Sequence, residues 1–328
     1  MQRSHFLSLI AKSAAAVALT AGLLPAAQAA DRIKVGVFPS SAALPFYLAM
    51  NRGYFKDAGL EIEEVPMNSH PLTVQALVSG SIDAAVNLVT LEGANIELRR
   101  PNTLKYLSLN GQNSQYVIEQ FVVRAGSQAK TLKDFQNGTK LLSAPGPANI
   151  GTARAVLKTV GLVEGKDFSL QEQPIGMHSG ALQAGTFEGG YTLEPAATVM
   201  VEQKIARRLE TGVIATHLLG RKEASAFATG AVLNGRLLAD RPEVAKRFAQ
   251  AWARGLKEAQ SDSSTRGYLI AGMKVPPALA ASVPLPRMVM AKDLTATDHA
   301  DFQKFLDIGT DMGVMKSKVD AKALLHAN

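Results

Sequence analysis

The stretch from Ile33 to Leu98 constrains the chain most, because it repeats one kind of unit three times. Ile33, Val35 and Val37 alternate as a short strand, Pro39-Ser40-Ser41 turn the chain, and an apolar helical segment runs to Gly53. After Gly59 comes a strand through Leu60, Ile62 and Val65, then the polar loop Met67 to His70, then a helix opened by Pro71 and ended by Gly80. Ala84 to Leu88 is a third strand, leading through Val89-Thr90 into a helix around Glu92 to Leu98. Three β-loop-α units in succession predict a parallel sheet. The loops leaving the carboxyl ends of such strands face one crevice, and here they are Pro39 to Ala43, Met67 to His70 and Leu88 to Glu92.

Further on, a strand from Leu104 to Leu109 runs into the amide-rich loop Asn110 to Gln115, and Gln120 to Arg124 reads as a strand leading out of the first domain. From Thr131 the pattern starts afresh. Lys140 to Ser143 is a strand, Ala144 to Thr152 a Gly/Pro-rich loop, and Ala153, Val156, Leu157 and Val160 form one face of a helix closed by Gly161. Phe168 and Leu170 mark a strand, followed by the loop Pro174 to Ser179 and a short helix. Gly189 to Pro195 is the next strand and loop, with a helix from Ala196 to Gln203. Lys204, Arg207 and Arg208 read as an exposed basic piece, and Phe227 to Leu233 as the strand that returns the chain to the first domain. Asp240 is expected to cap a long helix with Pro242 in its first turn and Val244, Phe248, Trp252 and Leu256 on one face. The prolines from Pro276 to Pro286 predict an irregular stretch, and Thr295 with Asp298 a capping box for a last helix.

The expected fold class is therefore α/β with two lobes, each a mixed, mostly parallel sheet flanked by helices, joined by a two-strand hinge. Lobe 1 comprises residues 30–125 and 230–328, and lobe 2 residues 126–229. Such lobes close about a hinge on whatever sits between them.

Composition narrows the function. Residues 1–29 carry Arg3, an apolar run from Phe6 to Leu24 and the Ala27-x-Ala29 pattern of a cleavage site, and read as a secretory signal. The net charge of +7 drops by two to +5 once Arg3 and Lys12 leave with it. There is no basic run of five or more and aromatics are 6%, so neither the phosphate-neutralising stripe nor the stacking platform of a nucleic-acid binder is present. The absence of cysteine excludes disulfides, thiol catalysis, Cys-ligated metals and a lipoprotein acyl anchor. A free protein of the periplasm, expected to be monomeric and without a membrane anchor, fits these facts.

Several short motifs carry a resemblance. Pro45 to Met50 with Gly53-Tyr54-Phe55 and Ala58-Gly59-Leu60, then Ala76-Leu77, Gly80 and Ile82-Asp83-Ala84, then Ala181-Leu182, Gly185, Tyr191 and Glu194-Pro195 resemble the periplasmic substrate-binding proteins of ABC importers. The branch is the NMT1/THI5-like group, which includes sulfonate, taurine, nitrate and thiamin-precursor binders. The resemblance implies capture of a small organic, sulfonate- or carboxylate-like ligand between the lobes and its delivery to the transmembrane subunits of an ABC permease. Two departures stand out. Glu188-Gly189-Gly190 replaces the acidic and small residues usual before the Glu-Pro step, so the backbone is expected to run differently there, and the Cys-rich motif of the enzymatic members is missing.

Candidate site residues follow from the strand-end loops. Ser40 and Ser41 are helix caps whose hydroxyls face the crevice, and Ser69 and His70 hold the same place after the second strand. Leu88, Thr90 and Glu92 follow the third, and Gln112 lies in the amide-rich loop. In the second lobe Asn149, Ile150, Gly151 and Thr152 open a helix whose free N–H groups suit an anion; the G-x-x-x-x-G spacing lacks the Lys of a P-loop. His178, Tyr191 and Glu194 complete the set, with Leu44 and Tyr191 as apolar contacts. Glu92 and Glu194 read as rim carboxylates, since no nucleophile stands near them. No metal motif, cofactor motif or catalytic set is found, and the chain reads as a binder and not an enzyme. The alternatives are a periplasmic enzyme on the same scaffold and a subunit that presents its ligand to a sensor kinase.

Overall fold

The computed structural model describes residues 30–326, so the expected secretory segment 1–29 lies outside the described residues. The first run is β1 (Asp31–Val37), α1 (Leu44–Asn51), α2 (Tyr54–Asp57), β2 (Leu60–Pro66), α3 (His70–Ser79), β3 (Ala84–Val89), α4 (Thr90–Arg99) and β4 (Leu104–Gln112). The second is β5 (Glu119–Arg124), β6 (Thr139–Ser143), α5 (Pro147–Thr159), β7 (Phe168–Glu172), α6 (His178–Gln183), β8 (Gly189–Leu193), α7 (Ala196–Glu202) and β9 (Ala206–Thr211). The chain then continues through β10 (Ala226–Asn234), α8 (Gly235–Asp240), α9 (Pro242–Ser261), α10 (Tyr268–Met273), β11 (Arg287–Met290) and α11 (Ala296–Asp311).

Two sheets result, ordered β11-β4-β10-β3-β1-β2 and β7-β6-β8-β5-β9. In the first, β1 runs parallel to β2 and β3, while β10 is antiparallel to β3 and β4. In the second, β6 runs parallel to β7 and β8, and β5 is antiparallel to β8 and β9. The carboxyl ends of β1, β2, β3 and β4 therefore share one edge of the first sheet, and those of β6, β7 and β8 one edge of the second. This is the expected two-lobe α/β architecture.

Local sequence explains the elements that place the site. Ser69 caps α3, its Oγ accepting from Leu72 N, and Gly80 ends that helix at φ 75°, a left-handed position that glycine adopts freely. β3 (AAVNLV) is buried throughout, as befits a strand covered on both faces. On α9 Val244, Phe248, Trp252 and Leu256 are buried, worth about 2 kcal/mol each. Trp252 Nε1 donates to Ser108 Oγ at 3.0 Å, tying that helix to β4.

Three expectations shift. Residues 206–211 form an edge strand, β9, and not a solvated basic piece. The proline-rich stretch is irregular as expected and leads into β11 of the first sheet. Asp240 is the last residue of α8, and α9 starts at Pro242 without a side-chain cap. β5 pairs with β8 and β9, so the chain changes sheets within 113–118, before the expected passage near 125, and it returns within 212–225.

Gly189 and Gly190 lie in a regular strand. A Cβ on Gly189 would collide with Val122 O and one on Gly190 with Leu142 O, so the pair lets neighbouring strands close on β8. One apolar cluster runs through both lobes, joining Leu88, Leu91 and Tyr106 to Phe121, Tyr191 and Leu193.

Candidate functional site

The lobes meet where their strand ends face each other. Ser41 N–H donates to Glu194 O at 3.0 Å, a backbone hydrogen bond from lobe 1 to lobe 2. Ala148 N–H, in the first turn of α5, points to Glu92 Oε1 at 3.5 Å, the outer limit of such a bond. Gly146, at φ 106°, precedes α5, and a Cβ there would lie 3.0 Å from Glu92 Oε1. Its dihedral favours glycine, and a Cβ there would press on the Glu92 carboxylate.

Buried polar atoms without a partner mark the same place. Besides Asn95 Oδ1 and His299 Nδ1, four buried side-chain atoms among the described residues make no hydrogen bond of good geometry: Ser41 Oγ, His70 Nδ1, Glu92 Oε2 and Gln112 Nε2, the last lying toward the Glu119 carboxylate. They stand in four successive positions of one design: after β1, after β2, after β3 and at the end of β4. A buried polar group left unpaired costs about 1–3 kcal/mol, so four on one sheet edge need a compensating role. A ligand seated there would supply their partners.

Burial sets the electrostatics of this edge. The Glu92 carboxyl is pushed up to about 7, chiefly by desolvation and secondarily by Glu172, with the Ala148 N–H opposing. Glu172 Oε2 accepts from Gly146 N at 3.2 Å, so the first N–H groups of α5 already face two carboxylates. His70 stacks on Phe38 at 4.1 Å between centroids, and its burial lowers its pKa to about 3, so it is neutral at physiological pH. Pro71, Val74, Glu92, Asn95, Ile96, Arg99 and Pro147 line a cavity of about 200 Å³ at the mouth between the lobes.

Other candidates from the sequence are engaged within the fold. Ser40 Oγ accepts from Ala42 N at 3.1 Å, and the exposed Ser69 Oγ caps α3. Thr90 Oγ1 donates to Phe227 O at 2.8 Å, holding α4 to β10. Leu44 and Leu88 are fully buried in apolar clusters. Asn149 Nδ2 donates to Pro145 O at 2.7 Å and Ile150 N to Gly146 O at 3.1 Å. Gly151 packs against Val314, and Thr152 beside it is buried.

His178 begins α6 and does not lie in a loop. Its Nε2 sits 3.0 Å from Gln173 O and its Nδ1 2.8 Å from Thr192 Oγ1, so the ring donates to the carbonyl and accepts from the hydroxyl as a neutral tautomer. Burial lowers its pKa to about 4, with the Gln173 carbonyl opposing. Tyr191 donates its hydroxyl to the buried Glu119, whose pKa burial raises while Tyr191 and the nearby Gln112 amide oppose.

Glu194 is saturated. Its Oε1 accepts from Gln120 Nε2 at 2.7 Å and Arg208 Nη2 at 2.8 Å, and its Oε2 from Thr198 N at 3.0 Å. Arg208 also donates to Thr198 Oγ1 at 2.7 Å and through Nε to Gln120 Oε1 at 2.9 Å.

Sequence reasoning does not find Glu119, Glu172, Phe38 or Arg208 as parts of this region. Glu172 ends a parallel strand and obeys the strand-end rule that finds the others. Arg208 carries no local signal, because its partners come from β5 and α7. A larger groove of about 890 Å³ runs along α9, with Lys246, Arg254, Lys257 and Lys292 among its lining, but it holds none of the orphaned atoms found among the described residues. No described helix is long and apolar enough to cross a membrane, and no cluster of three or more potential metal ligands occurs among the described residues.

Two α/β lobes that close on a polar crevice define the periplasmic-binding-protein class of fold. The family profile described as NMT1/THI5 like matches residues 40–264, and the chain belongs to that family. No curated protein matches it by overall sequence. The fold is similar to the alkanesulfonate-binding protein SsuA from Xanthomonas axonopodis pv. citri bound to MOPS, at 16% identity and TM-score 0.70, covering 90% of this chain and 98% of that one. It is similar to the periplasmic nitrate-binding protein NrtA from Synechocystis PCC 6803, at 18% identity and TM-score 0.70, covering 89% and 84%. The desulfurization enzyme DSZB shares it at 15% identity and TM-score 0.63, covering 90% and 96%. At these identities the likeness shows the fold alone.

Proposed function

We propose that this chain is a periplasmic solute-binding protein, exported by a cleaved leader, that takes a small organic solute between its lobes and delivers it to an ABC permease. The observation that carries the reading is the set of unpartnered buried atoms on Ser41, His70, Glu92 and Gln112, one from each strand end of lobe 1. A solute that pairs them stabilises the closed state over the open one by its differential affinity, and a permease can then distinguish loaded from empty protein by shape. Ser41 N–H to Glu194 O and the contact of Glu92 with α5 are where closure is felt.

The named relatives divide between binders and one enzyme. The site supports the binder: no nucleophile with an adjacent base lies among the crevice residues, His70 is neutral and stacked, and Glu194 is held by three donors. The reading of an oxyanion ligand rests on the N-terminus of α5, and Glu92 and Glu172 facing that terminus weigh against it. A thermal-shift screen of the purified mature chain over sulfonates, carboxylates, nitrate, pyrimidines, flavins and amines tests the reading. A rise in melting temperature without turnover is the expected result. Chemical conversion of the bound compound would favour an enzyme, and silence from every class would remove the support for solute binding.

A further inference from the structure

We propose that the solute is an organic cation with N–H donors, an alkylammonium or amidinium, and that it docks on the free oxygen of Glu92. The inference rests on the solute-binding reading and adds the ligand's charge to it. Its ground is the geometry of the Glu92 carboxylate. Oε1 is turned to Ala148 N, so the position at α5 that a ligand anion would occupy is filled by the protein's own carboxylate. Oε2 is buried with no partner, on a residue that lines the cavity with Pro71, Val74, Ile96 and Pro147, and a small turn of the carboxylate would present it there. A buried acceptor carrying negative charge is satisfied best by a charged N–H donor.

No cation is paired with Glu92, although Arg99 lines the same cavity. Arg208 is committed to Glu194, Thr198 and Gln120. The charged and titratable groups facing Glu92 are Glu172 across the crevice at the end of β7, the Tyr106 hydroxyl on β4, and Arg99 on its own helix at the exposed mouth. An entering sulfonate or carboxylate would meet Glu92 and Glu172 together. An ammonium or amidinium would meet two carboxylates, and the unpartnered Ser41 Oγ and Gln112 Nε2 at the neighbouring strand ends are candidates for the polar remainder of the molecule. Ser41 Oγ can donate or accept and Gln112 Nε2 donates, so that remainder should carry an acceptor.

The sign of the pH dependence follows. Burial holds the Glu92 proton up to about pH 7, and a cation competes with that proton. Binding of an amine should therefore release a proton, and affinity should rise about tenfold per pH unit below 7 and level off above it.

The test is calorimetric titration of the mature wild-type chain and of Glu92→Gln, at pH 6 and pH 8, with agmatine and benzamidine as cations and ethanesulfonate and benzoate as anions. The amide oxygen introduced by Glu92→Gln keeps an acceptor for Ala148 N, and the melting temperature of the ligand-free variant checks its fold. Ser41→Ala serves as a second variant, expected to weaken whatever binds, regardless of charge. The expected result is binding of a cationic probe, tighter at pH 8, weakened at least tenfold by Glu92→Gln. Binding of the anions in preference, unchanged or tighter in Glu92→Gln, overturns the ligand charge while leaving the solute-binding reading standing. Failure of all four probes at millimolar concentration overturns the cation proposal and counts against the crevice as a solute site as well.

Discussion

Ser41 of lobe 1 donates its backbone N–H to the carbonyl of Glu194 in lobe 2, across 3.0 Å. One residue thus links the lobes through its backbone and leaves its buried hydroxyl unpartnered in the crevice. On the other side, the Glu194 carboxylate is held by Gln120, Arg208 and the Thr198 N–H, so the acceptor sits on a fixed support.

Ser41→Ala should therefore separate binding from folding. Removing an unpaired hydroxyl leaves ligand-free stability within about 1 kcal/mol of wild type, while affinity for a solute falls about tenfold, the worth of one hydrogen bond. Urea denaturation and calorimetric titration check the two halves.

Arg208→Met should unsettle lobe 2. It leaves the fully buried Glu194 carboxylate without its cation while Arg208 itself is about one-third exposed, and the expected loss is about 3 kcal/mol. Urea unfolding measures it. A change below about 1 kcal/mol would mean that the carboxylate is satisfied by Gln120 and the Thr198 N–H alone.

Glu92 should make the empty protein less stable as pH rises. Its folded pKa of about 7 lies above the ordinary 4.5, so the folded state holds the proton more tightly and stability is lost between those two values as the proton leaves. The full effect is about 3 kcal/mol. Glu92→Gln should flatten this limb, leaving the ligand-free variant the more stable at pH 8. Thermal unfolding from pH 4.5 to 8 reads it directly.

His70 should act with the opposite sign. Its folded pKa of about 3 lies below the ordinary 6.5, so stability is lost as pH falls from 6.5 and the unfolded ring takes up a proton. His178, at about 4, adds to the same limb. His70→Phe should weaken this acid loss, and a pH-stability profile unchanged from wild type below about pH 6 would show that the ring is not buried as described.

Much of this is legible in the sequence for reasons that can be named. Ser69, Pro71 and Gly80 announce α3 by cap, first turn and left-handed stop, and Thr295 with Asp298 announces α11 by a capping box that is present in the structure. The strand-end rule draws attention to Ser41, His70, Glu92 and Gln112 without coordinates. It cannot tell them from His178 or Thr90, because what distinguishes them is a partner on another element: Thr192 for the one, Phe227 for the other. β9 escapes notice because Arg207 and Arg208 read as solvent-facing, whereas it pairs along one side only and its long polar side chains are half-buried. β11 is masked by the prolines before it, and it joins the sheet at an edge, where a short strand suffices.

A solute held between the lobes by the strand ends of lobe 1 is the claim on which the rest depends. Its most direct measurement is calorimetric titration, with any compound that raises the melting temperature, of wild type, the double variant Ser41→Ala/Gln112→Ala, and Lys246→Ala in the groove along α9. The predicted result is at least a tenfold loss of affinity in the double variant and wild-type affinity in Lys246→Ala. Unchanged binding in the double variant together with a loss in Lys246→Ala would place the site in that groove and contradict the claim.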